Sequence, residues 1–185
     1  RRLKKWFDNQ SDEMYGHEVE LPGDAGRIAV PSLRFNIFFQ MAHMMHHFMD
    51  EGIGLRHMVD YYYLLRKVHE EGIPTEGIDK ELNRLGLRKF AGAVMFVMHE
   101  VLGLENECLI VPMDKNRGET LLNEILNGGN FGKYSGLTKH SLASKNLIKY
   151  WRTMHFIREY PAEALCEPVF RTWHFFWRLK HTYSS

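Results

Sequence analysis

The chain is poor in cysteine, carries no charge excess of either sign and lacks a long hydrophobic run. Its 185 residues include two cysteines, Cys108 and Cys166. One widely spaced pair cannot build a four-cysteine metal site or a close-spaced redox motif. Ten methionines accompany them, so a reducing, cytoplasmic home is expected. Lys and Arg number 24 against 23 Asp and Glu, a balance that points away from nucleic acid as a partner. The longest charge-free stretch, Phe35 to Met49, is too short to span a bilayer and is interrupted by Gln40 and three histidines. No membrane span is therefore expected. No signal-peptide pattern opens the chain, and neither does a methionine. It begins Arg1-Arg2-Leu3-Lys4-Lys5, which leaves room for sequence upstream.

What is present is ordinary globular material, 44% hydrophobic and 25% charged. A chain of this size buries roughly 70% of its unfolded surface and needs no staple to hold a core. The spacing of apolar residues predicts a mainly α fold, a domain of about six to seven helices behind a small N-terminal β-hairpin. Arg1 to Gln10 reads as a short helix. His17–Leu21 and Arg27–Val30 alternate polar and apolar around the turn Pro22-Gly23-Asp24-Ala25-Gly26, a hairpin pattern. Ser32 can cap a long helix ending near Asp50, and Gly52 and Gly54 break it. Further helices are expected over 55–70, 75–85, 89–102, 119–127, 140–159 and 161–181. The helix over 89–102 reads as core, with Ala91, Val94, Met95, Met98, Val101 and Leu102 at spacings of three and four.

The helix after Ser32 carries an unusual polar stripe. At about 100° per residue, Asn36, Gln40, His43 and His47 fall within about 60° of one another, with Asp50 beside them and His46 at the edge. An exposed stripe would ordinarily hold Lys and Glu, whereas amides and imidazoles suit a partly buried site with directed hydrogen bonds. A histidine-rich helix packed on its neighbours is the plainer alternative. On the next helix Leu55, Met58, Val59, Tyr62 and Leu65 form the expected apolar face, and Arg56, Asp60, Tyr63 and Lys67 the opposite one. Arg56 and Asp60, four apart, can pair. If that row turns toward the histidines, Arg56 becomes a fork for phosphate or carboxylate. The short Gly52-Ile53-Gly54 link makes an antiparallel meeting of the two helices plausible.

Other chemistry finds little support. His43 and His47 have the spacing at which two imidazoles share an ion, and His46 with Asp50 repeats it. A helical phosphohydrolase would typically show a His-Asp dipeptide, but Phe48 follows His47, and no Glu-x-x-His pair occurs. No metal ligand is assigned on this basis. The run Gly128 to Tyr134 misses the first glycine and the magnesium-binding hydroxyl of a phosphate loop. No nucleophile elbow is present, and the two strand candidates offer only Glu18 and Glu20 as carboxylates. No catalytic residue is assigned. From Lys133 onward the net charge is +6, against −5 before it. Phe170, Trp173, Phe176 and Trp177 stand there among Arg171, Arg178 and Lys180. They read as a core-facing stripe with a solvated basic back, or as a surface for an acidic partner.

The segment PSLRFNIFFQMAHMMHHFMDEGIGLRHMVDYYYLL, residues 31–65, resembles the C-terminal half of a family of uncharacterised nucleotidyltransferases from Bacteroides-type bacteria. The matching features are the Pro-Ser entry, the spaced His43, His46 and His47, the Gly52-Ile53-Gly54-Leu55-Arg56 turn, and Asp60 before aromatic and aliphatic residues. The resemblance implies that residues 1–30 are a remnant joining to a missing catalytic domain, and that 31–185 form a helical domain. It further implies an intact enzyme that transfers a nucleotidyl group from an NTP, with Mg²⁺, to an unknown acceptor. In that role His43, His46, His47, Arg56 and Asp60 would bind substrate, with the catalytic carboxylates outside this chain. Two other readings stand beside it: a non-catalytic interaction module using the basic aromatic C-terminus, and a His/Asp metal-dependent hydrolase.

Overall fold

A computed structural model describes residues 2–50, 52–128 and 160–161. The expected helices over 140–159 and 161–181, the basic C-terminal segment and nearly all of the glycine-rich run lie outside these residues. The described part is mainly α, with seven helices and one two-stranded antiparallel hairpin. Helices α1 (Arg2–Asp8) and α2 (Ser11–Tyr15) precede strands β1 (His17–Glu20) and β2 (Arg27–Val30). Then follow α3 (Leu33–Asp50), α4 (Leu55–Glu70), α5 (Ile78–Leu85), α6 (Arg88–Glu100) and α7 (Lys115–Gly128).

The hairpin pairs His17 with Val30 and Glu20 with Arg27. Both strands are exposed almost throughout, including the facing pair Val19 and Ile28. A lone hairpin is marginal in water, and α2 supports this one at its base. There the Ser32 N–H donates to the Glu13 carbonyl at 2.8 Å, and the Ser32 hydroxyl donates to the Glu13 carboxylate. The same hydroxyl accepts from the Phe35 N–H at 3.0 Å, so Ser32 caps α3 as its position suggests. Helix α1 lies against the first half of α3 through rings, with Trp6 4.9 Å from Phe38 and Phe7 5.6 Å from Phe35.

Helix α6 is the centre. The nine residues from Phe90 to Met98 carry no polar side chain, and Phe90 through Met95, Val97 and Met98 are buried. A helix apolar on every side belongs inside. The expected core residues Ala91, Val94, Met95 and Met98 are fully buried, but the helix ends at Glu100, and Val101 beyond it is exposed. Phe48 of α3 meets Phe90 at 5.4 Å, and Tyr160 closes over both rings.

Two further expectations shift. The helix before Leu85 begins at Ile78, capped by Gly77 in the left-handed region and not by Thr75. The helix expected from Glu119 begins four residues earlier, at Lys115, because Asp114 caps it. Asp114 Oδ1 accepts from the Arg117 N–H at 3.2 Å, and Oδ2 accepts from the Arg117 guanidinium at 2.6 Å. Gly118 continues that turn. It faces Phe96 of α6 so closely that a Cβ would overlap the ring, and this contact sets how near α7 approaches.

Burial pushes the Asp114 carboxyl up, but the hydrogen bonds from Arg117, its charge and that of Arg88 outweigh burial and hold it below the usual range. A carboxylate depressed in the folded state contributes stability above its ordinary value of 3.8. That contribution is lost as pH falls through the lowered folded value. Asp114→Ala should cost about 1 kcal/mol near neutral pH, seen as a thermal midpoint about 3 °C lower. The gap between the two proteins should narrow in acid, where the wild-type carboxylate takes its proton. A gap that persists unchanged in acid would show that the loss is not electrostatic.

Candidate functional site

The candidate site forms where α3 ends and α4 begins. His43 and His47 stand one turn apart on α3, so their rings share a face. The chain then reverses within Gly52-Ile53-Gly54. The Gly52 N–H donates to the His47 carbonyl at 2.8 Å, and Gly52 takes φ 97°, a conformation open to glycine and strained for other residues. Ile53 is fully buried and anchors the reversal. Helix α4 starts at Leu55 and places His57 in its first turn, where the His57 N–H donates to the Gly54 carbonyl at 3.1 Å.

The rotation of α4 decides what meets the histidines. Its buried face is Met58, Tyr61, Leu64, Leu65 and Val68. The expected face included Leu55, Val59 and Tyr62, but Leu55 and Val59 are exposed and Tyr62 is half-buried. The helix is turned by roughly a quarter of a turn from that expectation. The cause is Tyr61, whose ring is fully buried and whose hydroxyl donates to the Ile37 carbonyl of α3 at 3.2 Å. A tyrosine can be buried where its hydroxyl finds a partner. His57 precedes Tyr61 by four and Leu64 by seven, so it points with them toward α3.

Three imidazoles therefore converge. The His43 and His47 ring centroids are 4.5 Å apart, His47 and His57 are 5.0 Å apart, and His43 and His57 are 6.2 Å apart. One ring nitrogen from each lies within 4.8 Å of the other two. His43 is exposed, while His47 and His57 are half-buried. The Nδ1 atom of His57 is out of reach of water and has no hydrogen-bond partner among the described residues. His43 also stacks on Phe39, the ring centroids 6.1 Å apart. Burial lowers the His43 pKa from its ordinary value, and the neighbouring His57 and His46 lower it further.

The structure brings some of the expected residues together and leaves others apart. His43 and His47 are in the cluster. His46 is exposed at its edge, its ring 6.2 Å from that of His47. His57, which sequence reasoning placed on neither face of α4, completes it. Arg56 and Asp60, which the spacing allows to pair, are both exposed and form no ion pair with each other. Their row, with Tyr63 and Lys67, faces solvent rather than the histidine stripe. Asn36 is half-buried, and its side-chain amide reaches the Pro31 carbonyl at 3.5 Å.

A cavity of about 570 Å³ lies elsewhere, between α1 and the end of α5. Lys5, Trp6, Asn9, Gln10, Asn83, Arg84 and Leu85 line it, and none of the expected site residues does. Cys108 is buried beside Glu105, and burial with that carboxylate pushes its thiol up, which suits an inert cysteine. Among the described residues no set of three or more carboxylates converges in the way a hard cation needs.

A sequence family described as uncharacterised nucleotidyltransferase matches residues 3–103, from α1 to the residues just past α6. The match takes in the hairpin and the whole histidine cluster. No curated protein and no solved structure matches the chain significantly. No helix among the described residues is long and apolar enough to cross a membrane.

In chelator-treated protein, ring proton shifts followed by NMR should show His43 titrating below its ordinary value of 6.5. His57→Gln should raise that midpoint, and His46→Gln should raise it less, because His57 is the stronger of the two charges. A His43 midpoint indifferent to His57→Gln would mean that the rings do not share a site.

Proposed function

The chain belongs to the family of uncharacterised nucleotidyltransferases, and from that premise we propose that its helices form the substrate-binding part of an enzyme of nucleotidyl transfer. In the intact protein a nucleotidyl group would pass from a nucleoside triphosphate to an acceptor. Nucleotidyltransferases generally use a triphosphate and Mg²⁺. The residues described here do not fit Mg²⁺, since the convergent ligands are imidazole nitrogens and Mg²⁺ takes oxygen. Among the described residues the only strands carry Glu18 and Glu20 on an exposed hairpin. On this reading the metal-binding carboxylates would come from a catalytic domain beyond the described residues.

The observation that carries the proposal is the α3–α4 junction within the matched segment. Neutral imidazoles there can both donate and accept hydrogen bonds. His43, His46 and His47 would hold the acceptor in place. Arg56, on the solvent-facing row beside the histidines rather than turned onto them, and without an ion pair among the described residues, would contact a phosphate or an acidic acceptor that reaches across from the histidine face. Asp60 lies one turn further along the same exposed row and would accept a hydrogen bond from substrate. These residues would position substrate and carry none of the bond-making chemistry.

Arg56→Ala in the intact enzyme should lower kcat/KM for transfer by roughly 10- to 100-fold, the range for losing a charge-assisted hydrogen bond. Its thermal stability should stay within about 0.5 kcal/mol of the wild type, because the side chain is exposed. Unchanged transfer kinetics would remove Arg56 from the site.

A further inference from the structure

We infer that His43, His47 and His57 form a binding site for a first-row transition-metal dication of the zinc type, with a fourth position open to an anionic oxygen. Two of the ligands come from one helix face at the spacing of four, and the third comes from the facing helix after the reversal at Gly52-Ile53-Gly54. One nitrogen of each ring already lies within 4.8 Å of the others. A tetrahedral ion with metal–nitrogen distances of about 2.0–2.1 Å needs those nitrogens about 3.4 Å apart. His43 is exposed, so its side chain is the one free to turn to close that difference.

The ligand chemistry selects the ion. Imidazole suits Zn²⁺, Cu²⁺ and Ni²⁺ and is a poor ligand for Mg²⁺. The site is thus distinct in kind from the Mg²⁺ of nucleotidyl transfer. The buried Nδ1 atom of His57, without a partner among the described residues, is a second mark of an incomplete site. Buried polar atoms ordinarily have one, and a metal ion bound at this ring would be one way to supply it. Three neutral ligands leave the ion its full double charge. Exposure of His43 keeps one side open, so water, a phosphate oxygen or a carboxylate can take the fourth place. The metal site shares His43 and His47 with the proposed acceptor face but stands on the imidazole geometry alone.

The test uses the full chain without a histidine tag, stripped by a chelator and titrated calorimetrically with ZnCl₂ and, separately, MgCl₂. About one equivalent of zinc should bind, and magnesium should not. Cobalt substituted for zinc should show the intense visible bands of tetrahedral nitrogen coordination. His57→Gln and His43→Gln should each weaken zinc binding by roughly tenfold or more, while His46→Gln should leave it within about twofold. His43 is exposed, so its variant should fold even if His57→Gln does not, with circular dichroism as the check. Zinc uptake well below one equivalent would overturn the assignment. So would uptake indifferent to His43→Gln, which would mark adventitious binding among the eleven histidines of the chain. No nucleotide enters this experiment, so its failure leaves the transfer proposal standing, and the reverse holds too.

Discussion

One buried hydroxyl orients the functional face. Tyr61 lies wholly inside the interface between α3 and α4, and its phenol donates to the Ile37 carbonyl. Burial alone would penalise that hydroxyl, and a hydrogen bond to a helix carbonyl offsets the penalty. Any other rotation of α4 would withdraw the phenol from its partner or expose the ring. With Tyr61 fixed, Leu64, Leu65 and Val68 follow it into the core. His57, one turn earlier, is carried toward His43 and His47. The reversal at Gly52 links the two helices, and Ile53 within it is fully buried.

The cluster that results is electrostatically sparing only while its rings are neutral. Three imidazoles at centroid distances of 4.5 to 6.2 Å repel one another once protonated. The lowered pKa of His43 reflects burial first and then this repulsion from His57 and His46. Neutral rings are also the form that hydrogen-bonds as both donor and acceptor and the form that binds a metal. The lowered pKa of His43 favours the neutral form of that ring, the form that either use requires. The exposed Arg56 supplies a permanent positive charge on the neighbouring row, and its guanidinium is not consumed by Asp60.

Much of the architecture was legible in the sequence, for local reasons. The alternation on either side of Pro22-Gly23-Asp24-Ala25-Gly26 marks the hairpin, and Ser32 marks the start of α3 through a bond made within its own turn. What escaped depended on contacts between elements. Tyr61, Tyr62 and Tyr63 are equivalent in sequence, and the Ile37 carbonyl alone tells which of them is buried. That ambiguity displaced the whole face of α4 and hid His57. The spacing of His57, Tyr61 and Leu64 at i, i+4 and i+7 held the signal, readable only once Tyr61 is known to lie inside. The start of α7 was hidden in the same way. Lys115 to Gly118 is polar with a glycine, and its helicity rests on the Asp114 cap and on Phe96 packing over Gly118.

The convergence of the three histidines across the α3–α4 junction underlies both the acceptor face and the metal site. It is most directly tested by nuclear Overhauser contacts between the ring protons of His57 and those of His43 and His47, in chelator-treated protein with labelled histidine. With ring centroids 5.0 Å apart, His57 and His47 should give a clear cross-peak, and His57 and His43, at 6.2 Å, a weaker one. Absence of both, in protein where Tyr61 still shows contacts to Ile37, would mean that α4 packs as described yet turns His57 away, and the site would not exist.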